Sequence, residues 1–199
     1  MDGTMTDELL WKELEESCAA CRGCPLWQTR TNLVFGTGSR TAELMFVGEA
    51  PGEREDQTGI PFVGPAGQLL DLYLEAVGIP RESVYIANIL KCRPPHNRDP
   101  QPEESEACMK HLRGQVKLIR PKMIVCLGRI AAMRLIKPDY RITKEHGTFV
   151  RRGAFLMTAV YHPSALLRDP SKREDMYRDM KAIRRALDEE KQKTEENLS

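Results

Sequence analysis

Apolar residues recur in two distinct rhythms along the chain. Short continuous runs at residues 44–47, 84–90, 123–127 and 154–160 have the length and the β-branched or aromatic content of buried strands. Between them, apolar positions fall at helical spacing. Leu9, Leu10 and Leu14 mark a first helix over 6–18, capped by Thr6 or Asp7. Leu69, Leu70, Tyr73, Leu74 and Val77 mark a core helix that stops at Gly78 and Pro80. Pro102, Glu103 and Glu104 open a third helix, which runs to residue 119 and ends at Pro121. A short helix follows Gly128 through Leu135, and a charged amphipathic one covers 172–187.

This alternation predicts an α/β fold: one domain over residues 1–199, in three α/β/α layers, with a central four-stranded parallel sheet. Right-handed crossovers put strand 44–47 near the middle of that sheet. Residues 27–40 and 137–152 carry no regular pattern, and the polar tail from 188 is expected to fray. Loops leaving the carboxyl ends of parallel strands gather at one edge. Three of those loops are unusual. The first runs from Gly48 to Gly67, is rich in glycine and carries Glu49, Glu55 and Asp56; Gly48 and Gly52 lack the Cβ that would hold a ligand away from the backbone. The second, Lys91-Cys-Arg-Pro-Pro-His-Asn-Arg-Asp-Pro100, is basic and stiffened by prolines. The third is Tyr161-His-Pro-Ser-Ala-Leu-Leu-Arg168.

Composition narrows the class. Of 199 residues, 41% are hydrophobic and 30% charged, and no apolar run approaches the roughly 20 residues that span a bilayer. The first residues are acidic where a signal peptide would be basic and then apolar, so a cytoplasmic protein without membrane partners is expected. A net charge of +1 neither demands nor forbids nucleic acid, since binding depends on where Lys and Arg cluster. Six cysteines in a reducing compartment need a reason other than disulfides. Cys18, Cys21 and Cys24 stand as C-x2-C-x2-C with no fourth member nearby; Cys92 and Cys108 lie at element boundaries, whereas Cys126 falls within a strand as a small core residue. Four thiolates suit an iron-sulfur cluster or a structural zinc, and ligand count alone leaves both open.

Several motifs in order resemble the type 4, iron-sulfur uracil-DNA glycosylases: Cys21-Arg-Gly-Cys-Pro-Leu-Trp-Gln-Thr-Arg-Thr-Asn32, Gly48-Glu-Ala-Pro-Gly52, Pro61-Phe-Val-Gly64, Asn88-Ile-Leu-Lys-Cys-Arg-Pro-Pro95 and His162-Pro-Ser164. The resemblance implies a [4Fe-4S] cluster near the N-terminal segment, held by Cys21, Cys24, Cys92 and Cys108. It also implies excision of uracil from single- or double-stranded DNA, the first step of base-excision repair, with the abasic product passing to downstream abasic-site repair enzymes. A monomer is expected.

The chemistry can be argued beside the resemblance. A flipped base needs a closed pocket and a stacking face, which Phe62 supplies. Asn88 offers one donor and one acceptor to O4 and N3–H of uracil, while cytosine presents the reverse pattern. The resemblance places His162 as donor to uracil O2, stabilising the departing anion. Carboxylates favour the cationic sugar or orient water. Glu55 is the first expectation for that work, with Glu49 near the pocket entrance or acting through its backbone, because Ala50 stands where other types of the superfamily carry a water-directing Asp. Asn97 holds water or positions the pocket. Lys91, Arg93, Arg98 and Arg168, with Ser164, are the expected phosphate contacts, and Leu166 matches the residue that enters the vacated stack. Two rivals remain at this stage. One is a protein of the same fold that captures uracil-DNA without turnover or becomes covalently attached to it. The other is an iron-sulfur electron carrier or zinc-stabilised nucleotide-binding domain.

Overall fold

The computed structural model describes residues 3–196. Its centre is a sheet of six strands: β1 (Thr37–Gly38), β2 (Leu44–Gly48), β3 (Tyr85–Asn88), β4 (Met123–Leu127), β5 (Val150–Arg152) and β6 (Phe155–Val160), in the order β1-β3-β2-β4-β6-β5. The four expected strands form its parallel interior, with β2 between β3 and β4. The expectation of four strands is corrected at both edges. Two-residue β1 pairs antiparallel with β3, and β5 forms a hairpin with β6. Both additions come from the two stretches without periodicity, because an edge strand with one half-exposed face leaves little apolar signature.

The interior strands alternate their side chains between two cores. Met45, Val47, Ala87, Ile124, Cys126 and Ala159 point to one face, where α1 (Gly3–Ala19), α4 (Pro102–Ile119) and α5 (Arg129–Leu135) cover them through Trp11, Met109, Leu112 and Ala131. Leu44, Phe46, Ile86, Met123, Val125 and Leu127 point to the other. There α3 (Pro65–Ala76), α7 (Pro163–Arg168) and α8 (Arg173–Glu196) pack with Leu70, Leu74, Leu166, Met176, Met180 and Ile183. Burial on both faces explains why these strands read as continuous apolar runs.

Two further short helices, α2 (Glu53–Thr58) and α6 (Ile142–Glu145), lie in segments expected to be loops. The tail expected to fray from 188 continues α8 to Glu196, pinned by Lys191 to Glu43 at 2.8 Å and by Arg151 to Glu190 at 2.7 Å; residues 197–199 lie outside the described residues. Among the described residues no helix is long and apolar enough to cross a membrane.

Candidate active site

The carboxyl ends of β2, β3, β4 and β6 open into one cleft of about 560 Å³. Its walls include Glu49, Ala50, Gly52, Glu55 and Phe62 from the glycine loop, Asn88 from β3, Asn97 and Arg98 from the proline loop, and His162, Ser164 and Arg168 from α7 and its cap. The three loops expected to converge do so.

Phe62 is placed by a backbone of unusual shape. Its φ of +57° is a left-handed conformation that a bulky residue adopts only when its surroundings impose it. Two neighbours impose it here. Glu55 Oε1, on α2, accepts from the amides of Val63 at 3.0 Å and Gly64 at 2.8 Å, closing the turn at the start of α3. Gly67, in the first turn of α3, lets that turn approach so closely that a Cβ there would lie 1.7 Å from the Phe62 carbonyl oxygen. Gly48 performs the same service for the side chains: a Cβ on it would meet Asn88 Oδ1 at 2.4 Å and the Phe62 ring at 2.8 Å. Across from them the His162 ring lies 5.7 Å from that of Phe62, centroid to centroid.

Asn88 is 1% exposed, and its Oδ1 has no hydrogen-bond partner. A buried acceptor left unpaired costs roughly 1–3 kcal/mol, and nothing among the described residues offsets that cost. His162 is the N-cap of α7, and its Nδ1 accepts the Ser164 amide at 3.1 Å, with the Ser164 hydroxyl 2.7 Å away. An Nδ1 that accepts puts the proton of a neutral imidazole on Nε2, which has no partner among the described residues. Burial, helped by Arg168, pushes the His162 pKa down to about 4, so the ring is neutral at physiological pH.

The carboxylates divide by environment. Glu55 is engaged with backbone amides, and Asp56 is buried with both oxygens accepting from the Thr31 amide, at 2.9 and 3.1 Å. Glu49 has no such partner. Burial first, then the Asp99 carboxylate, raise its pKa to about 7, partly offset by Arg129. Asp99 and Arg129 form a 3.0 Å ion pair on the cleft wall. These two residues and Tyr161, which also lines the cleft, were missed by sequence reasoning, although Arg129 follows a strand end at the same sheet edge as the motifs that were found.

The expected DNA contacts divide between the cleft and the core. Lys91 is 1% exposed, with its Nζ donating to Gln115 Oε1 at 2.7 Å; a phosphate cannot reach it, because the side chain turns inward onto α4 just after β3 ends at Asn88. Leu166 is fully buried on α7, whereas its neighbour Leu167 is 43% exposed, so the expected wedge faces the core. Arg98 is held by both oxygens of Glu104, at 2.8 and 2.6 Å, and Arg93 donates to Asn97 Oδ1 at 2.8 Å. Arg168 is exposed at the cleft edge, with no ion-pair partner among the described residues.

A second gap lies behind the proline loop. Cys21, Cys24, Cys92 and Cys108 all line it, together with Cys18, Lys91 and His111. Three of those sulfurs accept N–H donors: Cys21 from the Gly23 amide at 3.4 Å, Cys108 from the Lys91 amide at 3.3 Å, and Cys92 from the Arg30 guanidinium at 3.3 Å. Among the described residues no three His, Cys, Asp or Glu are gathered tightly enough to hold a single metal ion. Burial raises the Cys92 and Cys24 thiols, and that of Cys108 to about 11, so bare thiolates are disfavoured there.

Comparison with known proteins accords with this geometry. The chain is 46% identical over 177 residues to a type-4 uracil-DNA glycosylase of Archaeoglobus fulgidus, covering 82% of this chain and 86% of the relative. Type-4 uracil-DNA glycosylases of Sulfurisphaera tokodaii (43% over 182 residues, 87% and 83%) and Thermotoga maritima (45% over 168 residues, 83% and 88%) are similar to comparable extents. With residues 35–187 also matching the family described as the uracil DNA glycosylase superfamily, the chain belongs to that superfamily.

Proposed function

We infer that the protein is a uracil-DNA glycosylase that hydrolyses the N-glycosidic bond of uracil in DNA and leaves an abasic site. The observation that carries this reading is the buried, unpaired amide oxygen of Asn88 beside the Phe62 ring, facing a neutral His162 across one cleft. A pyrimidine flipped out of the stack would lie on the Phe62 face with its polar edge turned to Asn88 and His162. Phe62 supplies the face, Asn88 Oδ1 accepts N3–H while its Nδ2 donates to O4, and His162 Nε2–H donates to O2. Cytosine would set donor against donor at Asn88, a buried mismatch of the kind that discriminates by about 10⁴ or more.

As the glycosidic bond breaks, electrons pass to the uracil ring and positive character to the sugar. A neutral donor at O2 stabilises that anion without having to give up a proton. Glu49, rather than Glu55, is the residue for the opposite pole: its pKa of about 7 is matched to accepting a proton from the attacking water, and its carboxylate favours the cationic sugar. Glu55 acts as a positioning residue, holding the turn that presents Phe62. Ala50, Gly52 and Asn97 shape the wall, and Arg168 with Ser164 meets phosphate at the rim. Leu167 takes the wedge role expected of Leu166.

Cys21, Cys24, Cys92 and Cys108 fit a [4Fe-4S] cluster: four thiols surround one gap, and N–H donors are already aimed at three of them. Bound there, the cluster would supply a covalent tie between the N-terminal segment, the proline loop and α4. The residues act together as one domain on uracil-containing DNA, inside the cell and without a membrane partner. A single-uracil oligonucleotide incubated with catalytic amounts of protein tests the reading. Many abasic products per protein molecule are expected; a stoichiometric adduct or shift without product would make the chain a uracil-DNA binder instead.

A further inference from the structure

Cys108, His111 and Gln115 lie three and four residues apart on α4 and therefore share one helix face. That face borders the gap among the cysteines: Cys108 and His111 both line it, while Gln115 holds the buried Lys91. Gln115 is fully satisfied, accepting from Lys91 and donating to the Phe35 carbonyl at 2.9 Å and to Tyr85 Oη at 3.0 Å. His111 is not. It is 2% exposed, and its Nε2 is sealed from solvent without a partner. The desolvation that this leaves uncompensated would be relieved by an acceptor arriving in the gap.

We propose that His111 donates its Nε2–H to a sulfur of the cluster held by Cys21, Cys24, Cys92 and Cys108, and thereby slows the cluster's oxidative loss. The proposal rests on the cluster reading above. A ring buried to 2% with an unpaired Nε2 bordering the gap can present an N–H to a sulfur there. Hydrogen bonds to cluster sulfur draw charge from it and make it harder to oxidise. With backbone donors on Cys21 and Cys108 and Arg30 on Cys92, His111 would be a donor from the α4 side.

The test compares the loaded wild type with His111→Phe, which keeps the ring shape and removes the donor, and His111→Gln, which keeps a side-chain N–H. Iron content, the rate of bleaching near roughly 400 nm under a mild oxidant, and the shift of Fe–S vibrations on transfer to D₂O are read together. The expected result is bleaching roughly 2- to 10-fold faster in His111→Phe, with a smaller deuterium shift, and values near wild type in His111→Gln. Excision per loaded molecule stays unchanged in both. A loaded His111→Phe with wild-type bleaching and deuterium shift overturns the inference alone. Should His111→Phe fail to fold, the wild type decides, by whether a ¹⁵N-labelled imidazole couples magnetically to the reduced cluster. A wild type isolated anaerobically without iron overturns the cluster reading and this inference with it.

Discussion

Glu49 is a cleft carboxyl whose charge burial disfavours. In the unfolded chain its carboxyl titrates near ~4.3, and in the folded protein at about 7. Since the folded value is the higher one, stability from this group is full below the unfolded pKa and is lost as pH rises through 7. Glu49→Gln removes that loss. Thermal unfolding at about pH 8 should then show a gain on the order of 1–3 kcal/mol over wild type, disappearing near pH 4, while excision falls by about 10²-fold or more. The wild-type excision profile should carry one acid limb near pH 7, absent from the variant. His162 contributes no limb there, because its pKa is depressed to about 4 and it is already neutral. A limb unchanged in Glu49→Gln would return the base role to Glu55. Leu167 is an exposed apolar residue near the cleft rim. If it fills the vacated stack, Leu167→Ala should slow excision from double-stranded DNA roughly 10-fold, and from single strands hardly at all, since a single strand has little stack to replace. Equal effects on both substrates would leave Leu167 as ordinary exposed surface.

The unit that matters among the elements is α2, the turn after it and the start of α3. Glu55 on α2 bonds the turn, the turn holds Phe62 in a left-handed conformation, and Gly67 on α3 lets the turn close. Gly67→Ala has no room, because its Cβ would sit within bonding distance of the Phe62 carbonyl oxygen. The turn must move and carry the Phe62 ring with it, so uracil affinity and excision should fall together, by about 10²-fold for a displacement near 1 Å. Circular dichroism should stay near wild type, since the sheet is untouched; normal excision in a well-folded Gly67→Ala would show that the ring position is immaterial. That Phe62, Asn88 and His162 lie in loops at one sheet edge was legible, because strand ends and broken periodicity mark such loops; the roles expected of them came from the resemblance to the glycosylases. The buried strands and α4 were legible for the complementary reason, a continuous or 3.6-residue apolar rhythm. What sequence could not give was direction on a short helix. Whether Leu166 or Leu167 faces out depends on how α7 leaves its His162 cap, and whether Lys91 reaches solvent depends on which way the chain bends after β3 ends at Asn88. Glu49 and Glu55 stand six residues apart on one loop, and the backbone amides that hold Glu55, those of Val63 and Gly64, leave no signature in the sequence.

Across the whole molecule, the two cores and the cysteine site bear different loads. The parallel interior is packed on both faces and contains none of the four cysteines assigned to the cluster. Those four sit instead on the segment after α1, at the start of the proline loop and on α4. In the proline loop His96 and Asn97 both hold left-handed backbones, at φ +55° and +53°; Arg93–Asn97 and Arg98–Glu104 contacts hold the far part of the loop, while Cys92 anchors its start. If the proposed cluster is bound there, stripping it with a chelator under mild oxidation should act locally. Hydrogen exchange should quicken over residues 92–101 and 18–30 while β2, β4, β6 and α8 keep their protection. Excision should fall with the loop, because Asn97 and Asp99 line the cleft and Asp99 helps to set the Glu49 pKa. The acid limb of any residual activity should move to lower pH as Asp99 is released, a shift that simple unfolding would not produce. If the sheet instead loses protection in the same step as the loop, the cluster holds the whole fold together rather than one wall of the cleft.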